Sequence, residues 1–259
     1  MDDTVSSQPQ GACLPYGLFG LALSLVGAGV IAGLALSMSL VLMAAGVYLL
    51  FGWPYLHDLI KAGLDMTQSS RLEDLTTAGL VAGCAVYLAG IVGLWAMARM
   101  RAGRAWPLLL AWTPFRADRV YWQLLLAAMA YGLGASLALG HFSPSAKTLL
   151  AVPDSPFAIM AAVALVVILA PLSEELLFRG WLYTALRWRF GFRAALWATA
   201  LMFALAHWES THLYALAIFP IGLVLGYVRE RTGSAAATTL FHMIYNSSGL
   251  ALTFLLGKV

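Results

Sequence analysis

The chain has 259 residues, 61% hydrophobic and 10% charged, where an ordinary soluble domain is about 45–50% apolar and about 25% charged. With a mean hydropathy of +0.83, this composition excludes a water-soluble globular protein and gives an integral membrane protein. A net charge of +3 is too small to suggest a nucleic-acid partner.

The first sixteen residues, MDDTVSSQPQGACLPY, hold no Lys or Arg. A cleaved signal peptide has a basic start, so a retained first membrane helix is expected. Two cysteines, Cys13 and Cys84, make no disulfide framework, since Cys84 stands in an apolar run. Cys13 reads as an unmodified thiol rather than a lipid-bearing one.

A spanning helix needs roughly 20 apolar residues. In chain order the candidate spans are Gly17–Leu50, Thr76–Ala98, Tyr121–His141, Phe157–Leu186, Ala194–Trp208, Leu213–Val228 and Ala235–Leu256. The expected fold is therefore all-α, a polytopic transmembrane helical bundle of seven spans, or eight if Gly17–Leu50 is two helices. No polar loop divides that stretch, which favours one long or tilted helix. Gly52–Leu75 is polar enough for an extramembrane loop, and Met100–Arg119 has room for an interfacial helix before Thr113–Pro114. No internal repeat or second domain is visible. Residues 1–156 read as N-terminal helices and loops and 157–259 as a helical core, within one membrane domain.

Charge placement orients the spans. Arg99, Arg101, Arg104, Arg116 and Arg119 fall between spans two and three. Arg187, Arg189 and Arg193 fall between spans four and five, and Arg229 and Arg231 between six and seven. In the alternate loops Lys61 and Arg71 are offset by Asp58, Asp65, Glu73 and Asp74, and Lys147 stands with Asp154. Basic residues concentrate on the cytoplasmic side, so a seven-span chain has its N-terminus in the cytoplasm.

Ionisable groups within a membrane helix cost about 2.5–3.5 kcal/mol each on insertion scales and usually mark function. Span four holds Glu174, Glu175 and Arg179 in "LAPLSEELLFRGW"; span five holds His207 in "FALAHW"; span seven holds His242 and Asn246 in "FHMIYN". If spans four and five turn back near Phe190–Gly191, Glu174 and His207 lie sixteen residues to either side. At about 1.5 Å rise per residue they reach one depth. Glu175 and Arg179 are four apart and can pair, and His242 and Asn246, also four apart, face the same side of their helix. Glu174 is turned by about 100° from Glu175 and points elsewhere, into the bundle. His242 lies only about eight residues from its cytoplasmic loop, a misfit that a four–five hairpin protruding into the cytoplasm would remove.

Each piece alone has a plainer reading. An intramembrane His can be a packed, hydrogen-bonded side chain; Glu175 with Arg179 can be a structural pair; Asn246 can bind helices together. The set together can deprotonate water with a carboxylate and an imidazole and donate hydrogen bonds to an oxyanion. Glu174, His207 and His242 are also zinc-ligand types. "HWESTH" is not HExxH, however, and Ser173 sits in no GxSxG elbow, so neither a zincin nor a serine hydrolase is supported.

These three segments resemble the CPBP family, the type II CAAX prenyl endopeptidases and their bacterial relatives once called Abi proteins. The family pattern is EExxxR, FxxxH and HxxxN. It reads here as Glu174-Glu175-Leu176-Leu177-Phe178-Arg179, Phe203-Ala204-Leu205-Ala206-His207 and His242-Met243-Ile244-Tyr245-Asn246. The resemblance covers about residues 157–250. It implies a glutamate-type intramembrane endopeptidase with Glu174 as general base, His207 assisting, His242 and Asn246 as the oxyanion site, and Glu175 and Arg179 supporting the helices. It implies no metal cofactor, with zinc on Glu174, His207 and His242 as the alternative. It also implies a lipidated or membrane-anchored protein substrate processed near its C-terminus, in a bacterial plasma membrane. The competing class is a non-enzymatic protein: an inactive relative acting in binding or immunity, or a transporter, whose broken helix Pro171 would supply.

Overall fold

Apolar runs in a bilayer can satisfy their backbone only as helices or closed barrels, and the runs that the structure describes are helices. The computed structural model describes residues 69–142, 155–208 and 213–256, with isolated positions between 48 and 57. The expected first span Gly17–Leu50 and most of Gly52–Leu75 lie outside the described residues. Among the described residues no strand occurs.

Helix α1 spans Ser69–Ala102, starting earlier than the expected Thr76. A 3₁₀ turn, Gly103–Ala105, and the short α2, Trp106–Leu109, follow before Thr113–Pro114. Helix α3 spans Arg119–Phe142. The next helix changes its winding twice, as α4 (Pro156–Val163), π1 (Ala164–Leu169), α5 (Ala170–Glu175), π2 (Leu176–Leu182) and α6 (Tyr183–Ala206). Helices α7 (Leu213–Thr232) and α8 (Ala235–Leu256) complete the bundle.

Among the described residues four helices are long and apolar enough to cross a membrane: Gly79–Leu109, Arg119–Leu139, Pro156–Ala206 and Leu213–Thr232. Helix α8 is not among them, because Thr238, Thr239, His242, Asn246, Ser247 and Ser248 dilute its apolar residues. Pro156–Ala206 is far longer than a bilayer is thick, and it reverses at Gly191. The backbone there has φ 82° and ψ 178°, a region that only glycine occupies readily. Phe178 and Phe203 would stand about 37 Å apart on a straight helix. Their ring centroids are 5.3 Å apart, edge to face. The turn expected near Phe190–Gly191 is therefore where the chain doubles back.

Close approaches lock the hairpin into the bundle. A Cβ on Gly222 of α7 would lie 3.1 Å from Ala200 Cα, and one on Gly180 of π2 would lie 2.8 Å from the Leu110 carbonyl oxygen. The neighbouring Ala111 is the non-glycine residue with positive φ (48°) among those described. Its carbonyl accepts the Ala235 N–H at 2.7 Å, which satisfies a donor at the start of α8 that has no partner in its own helix. Ser234 Oγ donates to Thr113 O at 2.6 Å, and Tyr121 OH donates to Ala237 O at 3.0 Å. The core lies where α1, α3, π2, α6, α7 and α8 meet, around Leu110, Tyr121, Phe203, Leu225 and Phe241.

The arginine-rich segments meet at one end of the bundle. Arg231 pairs with Asp118, and Arg187 pairs with Glu230 at 2.9 Å. The Asp118 carboxyl is held below its ordinary range, chiefly by the Arg231 hydrogen bond and then by the Tyr121 N–H.

Candidate active site

Two breaks in winding bracket the Glu174–Glu175 pair, and each releases a carbonyl. In an α-helix, residue i+4 donates to carbonyl i. At the end of π1 the Ala170 N–H reaches back to Leu165 O instead. The carbonyl of Val166 loses its donor, and the residue one further on, Pro171, has no N–H to offer. Asn246 Nδ2 of α8 supplies it at 2.9 Å. At the end of π2 the Tyr183 N–H reaches back to Phe178 O, so Arg179 O loses its donor. Arg229 Nε of α7 supplies that one at 3.0 Å. Buried carbonyls need partners, and here side chains from other helices provide them.

Glu175 and Arg179 are fully buried and paired, with Nη1 donating to Oε1 at 2.8 Å. Arg179 Nη2 donates to Gly222 O at 3.0 Å, and the guanidinium lies 4.5 Å from the centroid of Phe203. His242 is also on Glu175: its Nδ1 lies 3.1 Å from Oε1. The depth mismatch inferred for His242 from loop counting is absent, since the two side chains touch. A carboxylate accepts, so Nδ1 carries the proton, and Nε2 is the ring nitrogen left for the cavity.

Glu174 is half-buried and faces away from that cluster. It lines a cavity of about 230 Å³ together with His207, His242 and Asn246. A water occupies about 30 Å³ of liquid, so several fit. Tyr87 OH donates to Glu174 Oε1 at 3.0 Å. His207 ends α6, with φ −101° and ψ 21°. Its Nδ1 lies 2.8 Å from Phe203 O. A carbonyl can only accept, so Nδ1 bears the proton and Nε2 presents a lone pair when the ring is neutral. Phe203 is the shared wall, 4.7 Å from His207 and 5.8 Å from His242 between centroids.

The structure thus divides the sequence-derived residues into two groups. Glu174, His207, His242 and Asn246 line the cavity, while Glu175 and Arg179 form a buried pair behind His242. One N–H of the Asn246 amide is committed to Val166, leaving its second N–H and its oxygen. Among the described residues no three His, Cys, Asp or Glu side chains are grouped to hold a metal ion.

Sequence reasoning missed Tyr87, Tyr214 and Tyr245, which also line the cavity, and the buried Arg229. Tyr87 had a signal: it is a hydroxyl in an apolar span, with Gly83 four residues before it and Gly90 three after. Arg229 was counted as a loop cation, and nothing local distinguishes it from Arg231.

Residues 156–248 match the profile of the type II CAAX prenyl endopeptidase Rce1-like family. A curated relative, an uncharacterized 24.3 kDa protein of Escherichia coli, is 36% identical over 121 residues, which are 46% of this chain and 55% of the relative. The chain thus spans about half the length of the curated relative it matches. No solved structure matches it.

Proposed function

We propose, since residues 156–248 carry the Rce1-like type II CAAX prenyl endopeptidase domain, that this membrane protein is an intramembrane endopeptidase. It uses a glutamate-activated water to cleave a lipidated or membrane-anchored protein near its C-terminus. The observation that carries this reading is the convergence of Glu174, His207, His242 and Asn246 on one cavity, with room for several waters, in the bundle.

The Glu174 carboxylate takes a proton from water, which His207 Nε2 orients by accepting its other hydrogen. The water oxygen attacks the scissile carbonyl, and the C=O electron pair becomes an oxyanion. The remaining Asn246 N–H donates to that oxygen. His242 Nε2 donates too when the ring is protonated, with Glu175 beside Nδ1 as counter-charge. Collapse of the intermediate breaks the C–N bond, and the proton held by Glu174 passes to the leaving amine. Water, bond and proton balance without a further reactant. Glu175 and Arg179 position His242 and hold π2 against α7.

We place the protein in a bacterial plasma membrane with its arginine-rich end in the cytoplasm. The substrate's tail enters the cavity sideways between helices. The test is proteolysis in reconstituted membranes. Wild type and Glu174→Gln are each given a pooled membrane-protein fraction, and new C-termini are read by mass spectrometry with and without a chelator. Products absent with Glu174→Gln and insensitive to chelator are expected. Loss of the products with chelator would replace the metal-free step. Equal products from a folded Glu174→Gln would leave a binding, immunity or transport role instead.

A further inference from the structure

The matched segment begins at residue 156, yet the cavity is lined in part by a helix that lies before it. Tyr87 of α1 reaches the cavity, and its hydroxyl donates to Glu174 Oε1 at 3.0 Å. Small residues on the same side of α1 allow the approach. Gly83 stands four residues before Tyr87, and a Cβ there would meet Leu165 Cδ2 at 2.9 Å. Gly90 stands three residues after, and a Cβ there would lie 3.0 Å from Ser173 Oγ. Residues three and four apart share a helix face, so Gly83, Tyr87 and Gly90 form one contact stripe. Cys84 extends it, with Sγ 3.6 Å from Ala161 O. Contacts run 84 to 161, 83 to 165, and 90 to 173, so α1 lies parallel to α4, π1 and α5. Two bare positions let the backbones close until a phenol, and nothing longer, spans the gap to the carboxylate.

We infer that Tyr87 is a positioning residue for the reaction: its hydroxyl fixes the Glu174 carboxylate through Oε1 so that Oε2 is the oxygen presented to the cavity water. A carboxylate rotates about its last single bond and has two equivalent oxygens. One charge-assisted hydrogen bond from a rigid helix removes that freedom before substrate arrives. In this role Tyr87 acts through the Glu174 carboxylate and not on the reacting atoms. The active unit is therefore larger than the segment that carries the family motifs. The inference rests on Glu174 being the base, as proposed above.

The experiment uses the full chain in proteoliposomes and four proteins: wild type, Tyr87→Phe, Glu174→Gln and Tyr131→Phe. Tyr131 OH donates to Ala217 O at 3.0 Å on an exposed face, so Tyr131→Phe removes a matched hydroxyl away from the cavity. The probe is a farnesylated, internally quenched peptide ending in a CAAX sequence. A second readout needs no substrate: the infrared carboxyl band that Glu174→Gln removes is followed in the other proteins. Tyr87→Phe should lower kcat about 10-fold, as expected for losing a hydrogen bond to a charged group. Its KM should stay within about twofold, and the Glu174 band should shift. Tyr131→Phe should change neither. An unmoved band, or a shifted band with unchanged kcat, overturns the positioning role while Glu174→Gln is still inactive. Wild-type cleavage by Glu174→Gln overturns the base assignment itself, and the role of Tyr87 with it.

Discussion

At the scale of single residues the site rests on a buried charge balance. Glu175 and Arg179 are both wholly out of solvent, and a buried ion is tolerated only beside its partner. Glu175→Ala should therefore destabilise by about 3–5 kcal/mol, read as a lowered thermal midpoint in detergent. Glu175→Gln, which keeps the shape and one acceptor oxygen, should cost less. Asn246 makes a separable prediction. Asn246→Leu removes the donor from Val166 O, which borders the cavity, and should cost about 0.5–1.5 kcal/mol, in a melt with no substrate present. A residue serving only the oxyanion would leave that melt unchanged. The motif letters were legible here because charge inside an apolar run is conspicuous. What the letters could not convey is that His242 leans on Glu175 and that Asn246 answers a carbonyl released by Pro171. Both depend on helix winding, which residue spacing at 3.6 per turn does not register. Tyr87 was hidden for another reason: tyrosine in a membrane span is ordinary, and only its glycine neighbours mark it.

At the scale of elements, the hairpin turn carries the largest backbone demand. Gly191 holds φ 82° and ψ 178°, so Gly191→Ala should cost about 1–3 kcal/mol. It should loosen the Phe178–Phe203 contact that the reversal creates. Scanning calorimetry with tryptophan fluorescence would report both. Gly180→Ala tests a different constraint, since its Cβ would meet a backbone oxygen at 2.8 Å and neither side can swing away. Helix positions were read closely from apolar run length: α8 matches its expected bounds, and the short α2 lies where an interfacial helix was expected. The early start of α1 at Ser69 was not legible. The acidic and polar residues before Thr76 look like loop, but they are compatible with a helix that projects beyond the apolar layer.

At the scale of the whole molecule, the ion pairs Arg231–Asp118 and Arg187–Glu230 bring three arginine-rich segments to one end. The loop charges had indicated this through the positive-inside pattern. With Cys13 and Cys84 replaced by serine, Arg104→Cys and Arg189→Cys should label with a membrane-impermeant thiol reagent from the same side. Ser155→Cys, at the start of α4, should label from the other. Labelling of positions 104 and 189 from opposite sides would break the topology. The division of Pro156–Ala206 into two legs at Gly191, and a full-length helix at Ala235–Leu256, were both legible in the sequence, while the expected first span lies outside the described residues.

The two π segments have a genealogical consequence. A π segment is an α-helix holding one residue too many, so it can be gained or lost by inserting or deleting a single codon. Deleting one residue from 167–169 would make Pro171 the residue four after Val166, and since proline has no N–H, Val166 O would still lack a donor from its own helix. The shortening would also turn everything before the deletion by about 100° relative to Glu174. The Val166 carbonyl would then turn away from Asn246 while still needing a donor, and the α4 surface that packs on α1 would point elsewhere. Chain length at this one position and the identity of residue 246 should thus be inherited as a pair. In relatives one residue shorter here, the helix that contributes Tyr87 should dock on a different stripe.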